Sequence, residues 1–296
     1  MKAIKPTAIT SAMLVSTTAT ETYSAWNAAT AYVAGNIVLR TATERLYERL
    51  VSGTTATAPE SDTINWLDIG PSNKWAMFDN YASTQTSQAT PLTVVVKPGL
   101  VNSLALFSLE GTSLAVTVRD GLAGSVVYSY SQSLDGTVLA DWYQYFFEPY
   151  DPVSDVVLID LPPYGDAHIT VAVSGATTAK CGIMAVGTVY PLGDTMSGAS
   201  ASITDYSVKS TDAYGTTSFV VRAYSKRMSA KFMLDNAQLN KVQRVLSDLR
   251  ATPCVWVGTS AQSFAPLTVF GFYRDFSIDV AYPTMSYCSM EIEGLT

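Results

Sequence analysis

The chain has 296 residues, a net charge of −7, and 48% hydrophobic against 15% charged residues. Such a composition provides for two or three compact units with large cores and excludes an intrinsically disordered chain. Up to Tyr190 there are 9 Lys/Arg against 16 Asp/Glu, and no basic stripe with interleaved aromatics occurs, so nucleic-acid binding through phosphates is not expected.

Residues 1–22 are rich in Thr and Ala without a clear period and read as an extended arm. Lys2 and Lys5 precede a short apolar run, but Thr10 and Ser11 break it, so a secretory signal is not expected. No apolar run reaches the roughly eighteen residues of a membrane span. Residues 23–71 form a compact aromatic block closed by the turn pair Gly70-Pro71.

From 72 to 190, short β-rich runs alternate with Gly, Pro and Asp turns, the pattern of an antiparallel sandwich. His168 falls within an alternating run and is expected to point away from the core. Residues 191–201, rich in Gly, Ser and Pro, read as a linker. Residues 202–296 read as a β domain with one flanking helix over 236–249. There Asp235 or Asn236 can cap the helix, and Leu239, Val242, Val245, Leu246 and Leu249 share one face. The fold class expected is mainly β and multi-domain.

Little in the chain points to catalysis. Cys181, Cys254 and Cys288 are widely separated, lie in apolar stretches and read as buried small hydrophobes. A single histidine gives no multi-histidine metal site, and neither a Gly-x-Ser-x-Gly elbow nor a phosphate-binding loop occurs. The most enzyme-like stretch holds Asp141, Glu148, Asp151 and Asp155 among Trp142, Tyr143, Tyr145, Phe146, Phe147 and Tyr150. Paired carboxylates beside aromatic rings suit glycoside hydrolysis, yet aromatic clusters between strands more often form core or interface. No catalytic residue, cofactor or metal is therefore expected.

Two resemblances sharpen this reading. Ala25-Trp26, Tyr32, Gly35-Asn36-Ile37-Val38, Tyr47, Pro59 and Trp66 have a spacing that resembles the small chitin- or cellulose-binding modules of bacterial glycoside hydrolases. The resemblance implies that Trp26 and Tyr32 are core, that Trp66 reaches a glycan, and that Tyr47 is a second candidate. In those modules another exposed Trp precedes the Pro, where this chain has Ala56-Thr57-Ala58.

The remainder resembles bacteriophage tail-tip, baseplate and distal-tail proteins. The run from Lys74-Trp75 to Asn80-Tyr81 is similar to the start of a galactose-binding-like jelly roll, and the ending from Met285 to Leu295 is similar to their final strand. A β domain with one flanking helix also resembles tail-tube domains. The resemblance implies a non-enzymatic virion protein, made in the host cytoplasm. Its implied partners are copies of itself in a ring, other tail proteins and host-surface polysaccharide. The competing readings are a secreted carbohydrate-binding accessory protein and, behind it, a glycoside hydrolase.

Overall fold

The computed structural model describes residues 1–81, 83–137, 141–147, 149, 151–259 and 262–295, the side chains of residues 145 and 262–264 excepted. The fold is mainly β. Its frame is a ten-stranded antiparallel sheet in the order Val156–Leu158, Ser103–Phe107, Ile183–Pro191, Lys2–Pro6, Cys254–Val257, Thr268–Asp279, Met285–Gly294, Tyr224–Asp235 and Asp194–Thr195. The tenth strand, Ser200–Asp205, pairs with Tyr224–Asp235 as well.

The N-terminal strand corrects the arm expected over residues 1–22. Ile4 stands in register between Val189 on one side and Val255 on the other. The strand therefore joins the central and C-terminal parts of the chain into one sheet. Ala3 and Ile4 are fully buried on its opposite faces. Pro6, which lacks an N–H, sits at the strand's end, where it disrupts the ladder least. Opposite it, a Cβ on Gly187 would lie 2.0 Å from the Lys5 carbonyl oxygen, so no side chain fits there. Residues Leu14–Thr17 form a second strand against Leu92–Val96.

The large sheet is curled. Phe107 and Phe270 stand on strands four places apart, about 19 Å in a flat sheet, yet their ring centroids are 5.9 Å apart. Lys226, near the other end of the strand order, forms an ion pair with Asp155, the residue before the first strand. The concave interior is filled by Ile4, Ala105, Phe107, Ile183, Ala185, Val255, Val257 and Phe270.

Two layers cover the outside of the curl. A five-stranded sheet, ordered Val126–Ser133, Ser113–Asp120, Ala167–Ser174, Leu92–Val96 and Leu14–Thr17, forms a sandwich with one half. Leu92, Val94, Val116, Val118, Ile169 and Val171 meet Leu104, Leu106, Met184 and Val186 there. His168 belongs to this second sheet and alternates with Ala167 and Ile169, so it points away from the sandwich core as expected, yet it is only 6% exposed. Strand alternation selects a face but does not say what lies over it. Nδ1 of His168 lies 2.9 Å from the Asp166 carbonyl oxygen, and Arg119 stands opposite in register.

The helix Leu239–Asp248 covers the other half, preceded by a short 3-10 turn, Asn236–Gln238. The Asp235 side chain accepts from the Ala237 amide and caps that turn. Val242, Leu246 and Leu249 pack with Phe232, Trp256, Cys288 and Met290. Leu246→Asp would bury an unpaired charge in this core and is expected to cost about 4 kcal/mol or more. An unchanged midpoint of urea unfolding would show that the face is not so packed.

The stretch 191–201 is not a bare linker either. Leu192 is fully buried in the helix-side core, and Thr195 pairs with Phe232. Proximity to Gly193 and Gly198 masked this, because local composition does not register a long-range partner.

Candidate functional surfaces

The aromatic module is a three-stranded antiparallel sheet, Ile37–Arg40, Arg45–Arg49 and Trp66–Pro71. It leaves and rejoins the sandwich at one root. There the Glu21 carboxylate accepts hydrogen bonds from the Ser72 hydroxyl at 2.9 Å and from the amides of Asn73 and Lys74.

Trp66 and Tyr47, the two candidate glycan contacts, are 2% and 5% exposed. Register explains it: Trp66 stands opposite Arg49, Tyr47 stands opposite Val38, and these side chains share the covered face. Tyr32 meets Trp66 edge-on at 5.2 Å, and the buried Arg49 guanidinium lies 4.9 Å above the Trp66 ring. Thr55 Oγ1 accepts from both Arg49 and Trp66. Trp26 is half-buried beneath the guanidinium of Arg40, which Glu60 anchors at 3.0 Å. A module this small spends its rings on its own interior. Its large exposed apolar side chains are mostly aliphatic, Leu50, Val51, Ile64 and Leu67 among them, and Tyr23, 39% exposed where the module begins, is an exposed ring outside the two candidate positions.

The acidic, aromatic stretch behaves differently. Residues Trp142–Phe147 form a short helix in the connection between Val126–Ser133 and Val156–Leu158. Asp141 Oδ1 accepts from the Gln144 amide at 2.8 Å, so this carboxylate caps the helix. Trp142 is 79% exposed and Phe147 69%, with Tyr143 and Phe146 close to these values. Glu148 and Tyr150 lie outside the described residues, as does the side chain of Tyr145. The connection is pinned at its root, where the Gly136 amide donates to the Asp151 carbonyl oxygen at 2.8 Å.

A second projection comes from the C-terminal half. Among the described residues, Val208–Thr211 and Thr217–Val220 pair only with each other, as a hairpin exposed on both faces. Phe219 is 69% exposed and Tyr214, at the turn, 95%. These strands read in sequence as ordinary members of a domain; nothing local distinguishes a strand packed on a core from one that projects.

Between the roots of the two projections, at an opening of the curl, lies a cavity of about 710 Å³. Phe107, Ile183, Phe270 and Leu295 form its apolar wall, and Asp155, Glu110, Lys226 and Tyr224 its polar one. Both carboxylates are occupied. Asp155 pairs with Lys226 and accepts from the Ser108 amide, while Lys180, 2.8 Å from Glu110, holds that carboxyl below its ordinary range. Glycoside hydrolysis needs one carboxylic acid kept protonated, the opposite shift.

Burial pushes the Cys181 and Cys254 thiols up to about 12 and raises Cys288 as well. All three are free and buried. None is expected to react with an aromatic disulfide reagent at neutral pH until the protein is unfolded, whereupon all three should react. A fast-reacting thiol in the native protein would contradict this packing. Among the described residues, no group of three His, Cys, Asp or Glu side chains is placed to hold a metal ion, and no helix is long and apolar enough to cross a membrane. No protein-family model matches the chain, and comparison with curated proteins finds no match.

Proposed function

We propose that this chain is a non-enzymatic structural component of a bacteriophage tail tip or baseplate, assembled with copies of itself in a ring and with other tail proteins. The observation that carries the reading is the pair of projecting apolar elements on an otherwise well-packed β frame. Exposed aromatic surface of this kind marks sites of association. The hairpin gives independent support, because two strands without a covering layer are marginal in water. The resemblance of the segments after residue 71 to tail proteins points the same way.

In this reading the aromatic module is a spacer or docking element. Its candidate sugar-stacking rings are internal, and its exposed aliphatic face suits a protein neighbour better than a polysaccharide. The test is to purify phage particles released from cells that produce this chain and label them with an antibody against it. Signal at one pole of the tail is the expected result. Particles lacking the protein would overturn the proposal.

A further inference from the structure

We propose that the aromatic loop element of one copy, the helix Trp142–Phe147 with the described residues beside it, and the hairpin 206–224 of a second copy form the contact between protomers. This rests on the tail-assembly reading and names the surfaces that such assembly would use.

Exposure is the first argument. Trp142, Tyr143, Phe146 and Phe147 of the loop and Tyr214 and Phe219 of the hairpin are all open to solvent in the single chain, so these rings do not cover one another within it. The hairpin in particular has Tyr214, Phe219, Val220 and Val221 outside any core. Among the described residues its pairing is confined to its own two strands, and a surface from elsewhere would stabilise it.

Charge identifies that surface. Residues 120–179 contain no Lys or Arg, and the described residues on either side of the aromatic helix include Asp135, Asp141, Asp151 and Asp155. Lys226 already neutralises Asp155; no ion pair is seen at Asp135, Asp141 or Asp151 among the described residues. The hairpin carries Lys209 and Arg222, both exposed. Its one acid, Asp212, is bonded to the amides of Tyr214 and Thr216, as Asp135 and Asp141 are to the amides of Thr137 and Gln144, so the contrast rests on net charge: two cations and one acid on the hairpin against acids alone on the loop. Lys209 Nζ already lies 6.0 Å over the Phe219 ring, so cation and aromatic are presented together. Against an acidic loop tipped with Trp142, Tyr143 and Phe147, this surface is complementary in both charge and ring chemistry.

A second copy is the occupant because one chain carries both halves of the match. Each copy donates a hairpin and receives one, which leads to a closed or continuing assembly. A bilayer fits less well, since anionic lipid headgroups repel an acidic loop.

The test uses the full chain and two variants altered only at exposed positions. Lys209→Glu/Arg222→Glu spoils the hairpin and leaves the loop; Tyr143→Ser/Phe147→Ser does the reverse. Circular dichroism checks that both fold. In size-exclusion chromatography with light scattering over a concentration series, the unaltered protein should self-associate. Each variant should do so with an affinity weaker by about tenfold or more. Mixed together, the two variants retain one intact hairpin and one intact loop, and should form a one-to-one heterodimer. A wild-type chain that stays monomeric throughout, variants that associate normally, or a mixture without heterodimer would each overturn the contact. So would a monomer whose loop binds phosphatidylcholine vesicles in a Phe147-dependent way. A monomeric protein still found in phage tails would refute this contact alone. Self-association of a protein absent from particles would instead refute the tail reading.

Discussion

Ile4→Asp is expected to unfold the molecule as a whole. Ile4 is fully buried on the concave face of the curled sheet, with Val189 and Val255 beside it. An aspartate there would be an unpaired charge among Ala105, Phe107, Ile183 and Phe270. The loss should exceed about 4 kcal/mol, a large share of the 5–15 kcal/mol that typically separates folded from unfolded domains. Deleting residues 1–6 should do at least as much harm, because it parts Ile183–Pro191 from Cys254–Val257 and leaves two unpaired edges. Lys5→Ala, at an exposed position of the same strand, should stay within about 0.5 kcal/mol. Urea unfolding followed by far-ultraviolet circular dichroism separates these outcomes. An arm resting on a neighbouring subunit would give the opposite result: a truncated chain that folds normally but fails to assemble.

Trp66→Ala is expected to collapse the aromatic module while sparing the rest. The ring is 2% exposed, meets Tyr32 edge-on and lies under the Arg49 guanidinium. Removing it leaves a cavity and strips the stacking partner from a buried cation, a loss of about 3–5 kcal/mol. A three-stranded unit cannot absorb that. Limited proteolysis of the full chain should therefore begin within 23–71, with the remaining fragments protected. Leu67→Ala, on the exposed face, should show no such change. A protease-resistant Trp66→Ala protein would return the ring to the surface role that its spacing suggests.

Much of the architecture is legible from local pattern. Val-rich alternating runs such as Leu92–Val96 and Ala167–Ser174 are strands because period-two alternation lets one face enter a core. The helix over Leu239–Asp248 is legible from the spacing of Val242, Leu246 and Leu249, with Asp235 beside its start. Absent motifs are legible too, since a phosphate-binding loop needs a Gly and Lys spacing, and a multi-histidine site more than one His, that this sequence does not have.

The candidate site was harder to read. Trp66 and Tyr47 stand out by spacing, but spacing records where a ring recurs along the chain and not which side of a sheet is covered. The aromatic run over residues 142–147 is visible as a cluster, while its exposure is not. The projecting hairpin gives no local sign at all.

Neighbours within a few positions are enough to dictate the strands, the helix and the apolar supply for a core. What each surface faces is settled only when the chain closes on itself. Closure placed Lys2–Pro6 between strands that begin at Ile183 and Cys254, folded the sheet until Phe107 met Phe270, turned Trp66 inward and left Trp142 and Phe219 outside. The physical reason is that burial is a property of contacts between residues far apart in the chain. Five residues with two lysines become the centre of a sheet only because partners some two hundred positions away supply both edges and both covering layers.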